Sequence, residues 1–73
     1  MKRAGEVVGV AQGLAIVRTP DESHPDIGTR LLEQDLSTAG QVVDVFGPVE
    51  RPFLAVDTTN SPAALLGVRL YSE

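Results

Sequence analysis

Short β-branched and apolar runs recur along this chain, each of strand length and each ended by glycine, proline or a polar cluster. Glu6–Val10 is the first, and Leu14–Arg18 follows across Ala11-Gln12-Gly13, a short polar connection that reads as a hairpin turn. Gln41–Phe46 carries the strongest strand signal, and Phe53–Asp57 and Val68–Tyr71 come after it. Thr29–Leu36 is ambiguous, because apolar residues at 31, 32 and 36 fit one helical face or a short strand between turns. The β pattern around it favours a strand over Arg30–Glu33. Ser61-Pro62-Ala63-Ala64-Leu65-Leu66-Gly67 has an N-cap serine, proline at the first helical position and glycine past the end, which predicts one helical turn. Thr19–Gly28 is polar and turn-rich, and is expected as a surface loop.

Many short strands broken by turn signals indicate an all-β barrel or sandwich. A closed barrel suits the length better, because closure removes exposed strand edges. Residues 1–73 are expected to form one domain. A chain this short buries only roughly 60% of its unfolded surface. It has no cysteine, hence no disulfide and no thiolate metal site, and the lone His24 does not make a zinc site. Burying a face against a partner would add stability.

The segment Gly40–Phe53 holds the most information. Side chains alternate across a strand, so Val43 and Val45 share one face while Val42, Asp44 and Phe46 share the other. With the valine pair inside, Asp44 and Phe46 face outward, and a charge on the wet face fits that register. An outward Phe46 either curls over the barrel mouth as a cap or belongs to an apolar patch that meets a partner. Gly47 can take backbone angles closed to other residues, Pro48 fixes its own φ, and Pro52 repeats that constraint. The result is a stiff apolar corner of Phe46, Pro48, Val49, Pro52 and Phe53. A stiff corner loses little entropy on docking, yet it also serves as a plain connection between strands. Spacing leaves both readings open.

Charge narrows the partners. Six basic residues stand against ten acidic ones, giving a net charge of −4, whereas nucleic-acid affinity rests on Lys and Arg neutralising phosphates. Lys2 is the single lysine, a composition that would suit a salt-rich cytosol. The basic start Met1–Glu6 is not followed by a sustained apolar stretch, and no run approaches membrane-spanning length, so a soluble, cytoplasmic protein is expected.

Catalysis finds no constellation here. Ser23 and His24 are adjacent in a turn-rich loop, and neighbours in an extended segment point apart, so no nucleophile–base pair is expected. Asp21, Glu22 and Asp26 lack the ligand spacing of a calcium loop and read as solvated. No phosphate-binding glycine motif precedes a helix, and no cofactor is expected.

The run Gly40-Gln41-Val42-Val43-Asp44-Val45-Phe46-Gly47-Pro48-Val49, continued by Pro52-Phe53-Leu54-Ala55-Val56, closely resembles the core of the Gar-one family. Lys2–Val7, Gln12–Arg18 and Gly67–Tyr71 are similar to the same family, in order. These are the small subunits of H/ACA ribonucleoproteins, the RNA-guided pseudouridine synthases. The resemblance implies a six-stranded barrel like those of translation elongation factors, without catalytic function of its own. It implies binding to the catalytic domain of the pseudouridine synthase subunit, with guide and substrate RNA met only indirectly. Through a mobile loop of the synthase, such a subunit favours substrate loading and release during rRNA modification. Glycine-arginine-rich tails are absent, which matches the short archaeal form. On this reading the corner is a docking surface made of Val42, Phe46, Gly47, Pro48, Val49, Pro52 and Phe53. An assembly factor with the same barrel and a direct RNA-binding barrel are the alternatives.

Overall fold

The structure, a computed structural model, describes residues Met1–Glu73. Six strands form: β1 (Lys2–Ala11), β2 (Leu14–Arg18), β3 (Arg30–Leu32), β4 (Thr38–Phe46), β5 (Phe53–Thr58) and β6 (Arg69–Ser72). They close into an all-antiparallel barrel in the order β1-β2-β5-β4-β3-β6, with β6 returning to β1. The expected fold class is therefore found. The β1–β2 turn is a two-residue one, with Gln12 and Gly13 both at positive φ (53° and 77°), the primed geometry that matches strand twist. The segment Thr29–Leu36 resolves to the short strand β3 and a turn in which Leu36 sits at φ 73°. No helix is long and apolar enough to cross a membrane.

Inward residues supply a small core. Leu31, Leu54, Leu70, Val7, Val17, Val42 and Val56 are fully buried, with Ala4 and Ala15 filling the tight places between them. Leu65 packs onto this core from the 3₁₀ turn Pro62–Leu65. That turn lies where the sequence predicts it, but the Ser61 side chain makes no capping hydrogen bond; its carbonyl instead accepts from the Ala64 N–H.

The register of β4 departs from simple alternation. Val42 pairs with Val56 and Asp44 with Ala55, so Val43 is an extra residue, a β-bulge. Val42 is consequently buried and Val43 exposed, the reverse of the expected placement. Beyond the bulge, Val45 turns inward against the core and Phe46 turns outward. Phe46 thus faces out as expected, but because of the bulge. Unbroken alternation from a buried Val42 would have carried Asp44 and Phe46 into the core.

Strand lengths are unequal. β4 has nine residues and its neighbour β3 has three, and the Gly28–Thr29 backbone extends the pairing only as far as Val42. Thr19, expected in the surface loop, is instead fully buried and ties that loop to the barrel.

Two outcomes follow from this packing. A Cβ on Gly40 would lie 2.3 Å from the Asp57 carbonyl oxygen, whereas one on Gly9 would meet nothing within 4 Å. Gly40→Ala is expected to destabilise the barrel by about 3 kcal/mol in thermal or urea unfolding, whereas Gly9→Ala is expected to leave stability unchanged or raise it by about 0.5 kcal/mol. In the β3–β4 turn, the Ser37 hydroxyl and then the Ser37 backbone N–H donate to the Asp35 carboxylate, holding its pKa below the ordinary aspartate value. A depressed folded pKa contributes stability above the unfolded value that is lost as pH falls through the folded one. The Asp35 carboxyl should therefore titrate at lower pH than a free aspartate by NMR, and Ser37→Ala should move it back up.

Candidate functional site

The corner begins at the bulge. Having turned Phe46 outward, β4 pairs it with Phe53 at the start of β5, and the two rings stack with centroids 5.6 Å apart. Arg18 on β2 pairs with Phe53 from the other side and holds its guanidinium 5.2 Å from that ring. A row of Arg18, Phe53 and Phe46 therefore crosses the outside of the barrel. Such a stack stabilises partly exposed rings that would otherwise sample several rotamers.

Gly47 follows at φ +89°, and a Cβ there would sit 2.9 Å from the Phe53 ring. Glycine is thus required twice, for the turn and for the close approach. Pro48 accepts a hydrogen bond from the Arg51 N–H, closing the turn, and Val49 projects from it at 80% exposure. The turn is then clasped to β2. The Pro52 carbonyl accepts from both the Thr19 N–H and the buried Thr19 hydroxyl (2.7 Å), and the Arg51 Nε–H donates to the Thr19 carbonyl. These bonds tie the Arg51–Pro52 end of the loop to the end of β2, while Phe46 at the other end is held in the β4–β5 ladder, so the corner is stiff without a disulfide.

Val45, Phe46, Gly47, Pro48, Val49 and Pro52 form one wall of a cleft of about 350 Å³, and Glu22 and His24 form the other. Two further clefts, around Arg30–Asp57–Thr59 and around Glu6–Asp35–Arg69, are lined almost wholly by polar residues. The apolar cleft is the one at the corner.

Of the residues expected at a docking surface, Phe46, Gly47, Pro48, Val49 and Phe53 come together there. Two do not fit. Val42 lies in the core at 0% exposure, because the bulge leaves it facing inward. Pro52 is mostly buried as well, and contributes to the floor of the cleft more than to an exposed patch. Sequence reasoning missed Thr19 and Arg18, whose roles depend on the β2–β5 register, and also Glu22 and His24 as the facing wall.

The Ser23–His24 pair behaves as a solvated loop. The Ser23 hydroxyl accepts from Lys2 Nζ at 3.1 Å, while His24 Nδ1 donates to the Pro25 carbonyl. The two side chains make no hydrogen bond to each other, so no activated nucleophile is assembled.

Comparison with known proteins gives a consistent family. No curated protein shows a significant sequence match. Among solved structures, the Gar1 domain of Naf1 superposes with a TM-score of 0.71 over 99% of this chain and 81% of that one, at 16% identity, a likeness of fold. The family model described as the Gar1/Naf1 RNA binding region matches residues 1–72. With that match running through every strand of the barrel and the corner itself, the chain belongs to the Gar1/Naf1 family of ribonucleoprotein accessory domains.

Proposed function

We propose that this barrel is a non-catalytic regulatory subunit of a cytoplasmic H/ACA ribonucleoprotein. It docks on the catalytic domain of the pseudouridine synthase subunit and promotes substrate loading and release. Family membership supports an H/ACA-associated role, and the observation that carries the docking reading is the stacked, clasped corner. Phe46 at 43% and Val49 at 80% exposure are held in place by glycine, proline and the Thr19 clasp. A folded chain does not stabilise itself by presenting a fixed aromatic and a valine to water. A rigidly held aromatic is enriched at interfaces, and the valine beside it extends the apolar patch. Catalysis belongs to the partner.

A second reading has its own observation. Lys2, Arg3, Arg30 and Arg69, four of the six basic residues, lie exposed on the β1-β6-β3 side of the barrel around the half-buried Tyr71. That is the arrangement a direct RNA contact would use, and the family description names RNA binding. Glu6 opposite Arg69 and Glu73 paired to Arg30 weaken the field of that face. The docking reading therefore leads, with RNA reached through the partner.

Two measurements separate the readings. Phe46→Ala combined with Val49→Asp should leave the thermal transition of the barrel cooperative. It should weaken binding to a synthase–guide RNA complex by at least about thirtyfold, roughly 2 kcal/mol, and remove the gain in multiple-turnover pseudouridine formation. Undiminished affinity would take the corner out of the interface. For the isolated barrel, affinity for bare guide RNA is expected to be no tighter than about 10⁻⁴ M at physiological salt. A tighter affinity that falls steeply with salt and is lost on Arg3→Ala and Arg69→Ala would establish the RNA reading instead.

A further inference from the structure

The barrel is closed, yet one stretch of strand has no neighbour. Val42 exchanges backbone hydrogen bonds with Gly28 and Thr29, and there the pairing on that side of β4 ends. The direction of the next groups follows from the ladder. The Thr19 N–H bonds to the Pro52 carbonyl, so residues 52, 54 and 56 of the β5 segment direct their backbone groups to β2. Val45 lies opposite Leu54, and therefore turns its N–H and C=O away from β5, into the cleft. Gly47, two residues on, points its N–H the same way, and that N–H has no acceptor. The Val45 N–H is covered only by the carboxylate of its neighbour Asp44, at 2.8 Å. An exposed carboxylate on an edge N–H is a removable cover, because water can take over the carboxylate when a better acceptor arrives.

We propose that β4 takes a seventh strand at this edge: an extended segment of a partner protein pairs with Val45 and Gly47, displaces the Asp44 carboxylate, and lies in the cleft facing Glu22. Charge and shape name its chemistry. The near wall is apolar, from Val45, Pro48 and Val49, while Asp44 and Glu22 supply negative charge on either side and Asp21 and Asp26 lie in the same loop. Of the basic groups nearby, Arg18 lies over Phe53 and Arg51 on the Thr19 carbonyl, while Lys2 reaches the facing loop only through the Ser23 hydroxyl and forms no ion pair with Glu22. A strand alternating apolar and basic residues fits: one face packs on the corner and the other meets the acids, while the backbone supplies the ladder bonds. The inference concerns how the docking surface recognises its occupant and rests on the reading of the corner as such a surface.

The test uses the whole 73-residue chain, labelled for NMR. A ten-residue peptide of alternating valine and lysine is expected to shift the amides of Val43–Gly47, Val49 and Glu22–His24, and to slow exchange of the Val45 and Gly47 amides about tenfold. Asp44→Asn keeps an acceptor for the Val45 N–H and removes one charge, so it should leave the free spectrum folded and weaken this peptide about threefold. Equal binding of a valine–glutamate peptide would overturn the charge argument. Equal binding of a valine–lysine peptide broken by alternate prolines, or unprotected Val45 and Gly47 amides, would overturn strand addition. No binding of the valine–lysine peptide would overturn both. Protection in the peptide complex, with no co-elution with the synthase, would support this mode and sink the partner proposed above. Co-elution with both amides left unprotected would do the reverse.

Discussion

One extra residue in β4 decides which way the Phe46–Phe53 corner faces. Because Val43 is bulged out, Val42 stays in the core and Phe46 four positions later lies outside. Everything at the corner depends on that half-turn of register: the stack on Phe53, the approach of Gly47 beneath it, and the projection of Val49. A bulge also bends its strand and raises local twist, which suits a small barrel that must curve sharply to close. The device that closes the barrel thus also exposes its aromatic surface.

Two kinds of restraint then keep the corner in place. Covalent stiffness comes from Pro48 and Pro52, which remove backbone freedom from the unfolded as well as the folded chain. Hydrogen bonding comes from Thr19, which is fully buried and has its hydroxyl matched to the Pro52 carbonyl, so no polar cost is left over. Charge is less divided than the basic count across β1, β6 and β3 suggests, because Glu6 stands opposite Arg69 and Glu73 pairs with Arg30 on that same side. Near the corner, Asp44 and Glu22 meet no paired arginine, since Arg18 lies over Phe53 and Arg51 on the Thr19 carbonyl.

The all-β architecture was legible because most strands are signalled locally, by β-branched runs such as Leu14–Arg18 and by turn residues such as Gln12-Gly13, while β3 followed from the β pattern around it. The 3₁₀ turn at Pro62 was legible for the same reason. Misplacement of Val42 and Val43 came from assuming an unbroken period of two. Both positions are valine, so hydropathy could not reveal which one is extra. Thr19 and Pro52 were misjudged because their burial arises from a cross-strand contact between residues 33 apart in the chain. Local pattern reports on elements and faces. The clasp and the facing wall of the cleft belong to tertiary register, and the open edge of β4 to a mismatch of strand lengths, neither of which a single segment carries.

The pairing of β1 with β6 sets Lys2 beside Ser72 and Arg3 beside Tyr71, so the two ends of the barrel are neighbours. Topologically the barrel is then a ring, indifferent to where its backbone happens to be cut. A short linker joining residue 73 to residue 1, with new termini opened at the tight Gln12–Gly13 turn, would leave every ladder bond available. In such a circular permutant the hairpin of β4 and β5, with its corner, would lie in the middle of the chain and far from either end. Segments attached at residues 1 and 73 would emerge side by side along the β1–β6 seam, on the opposite strands from the corner.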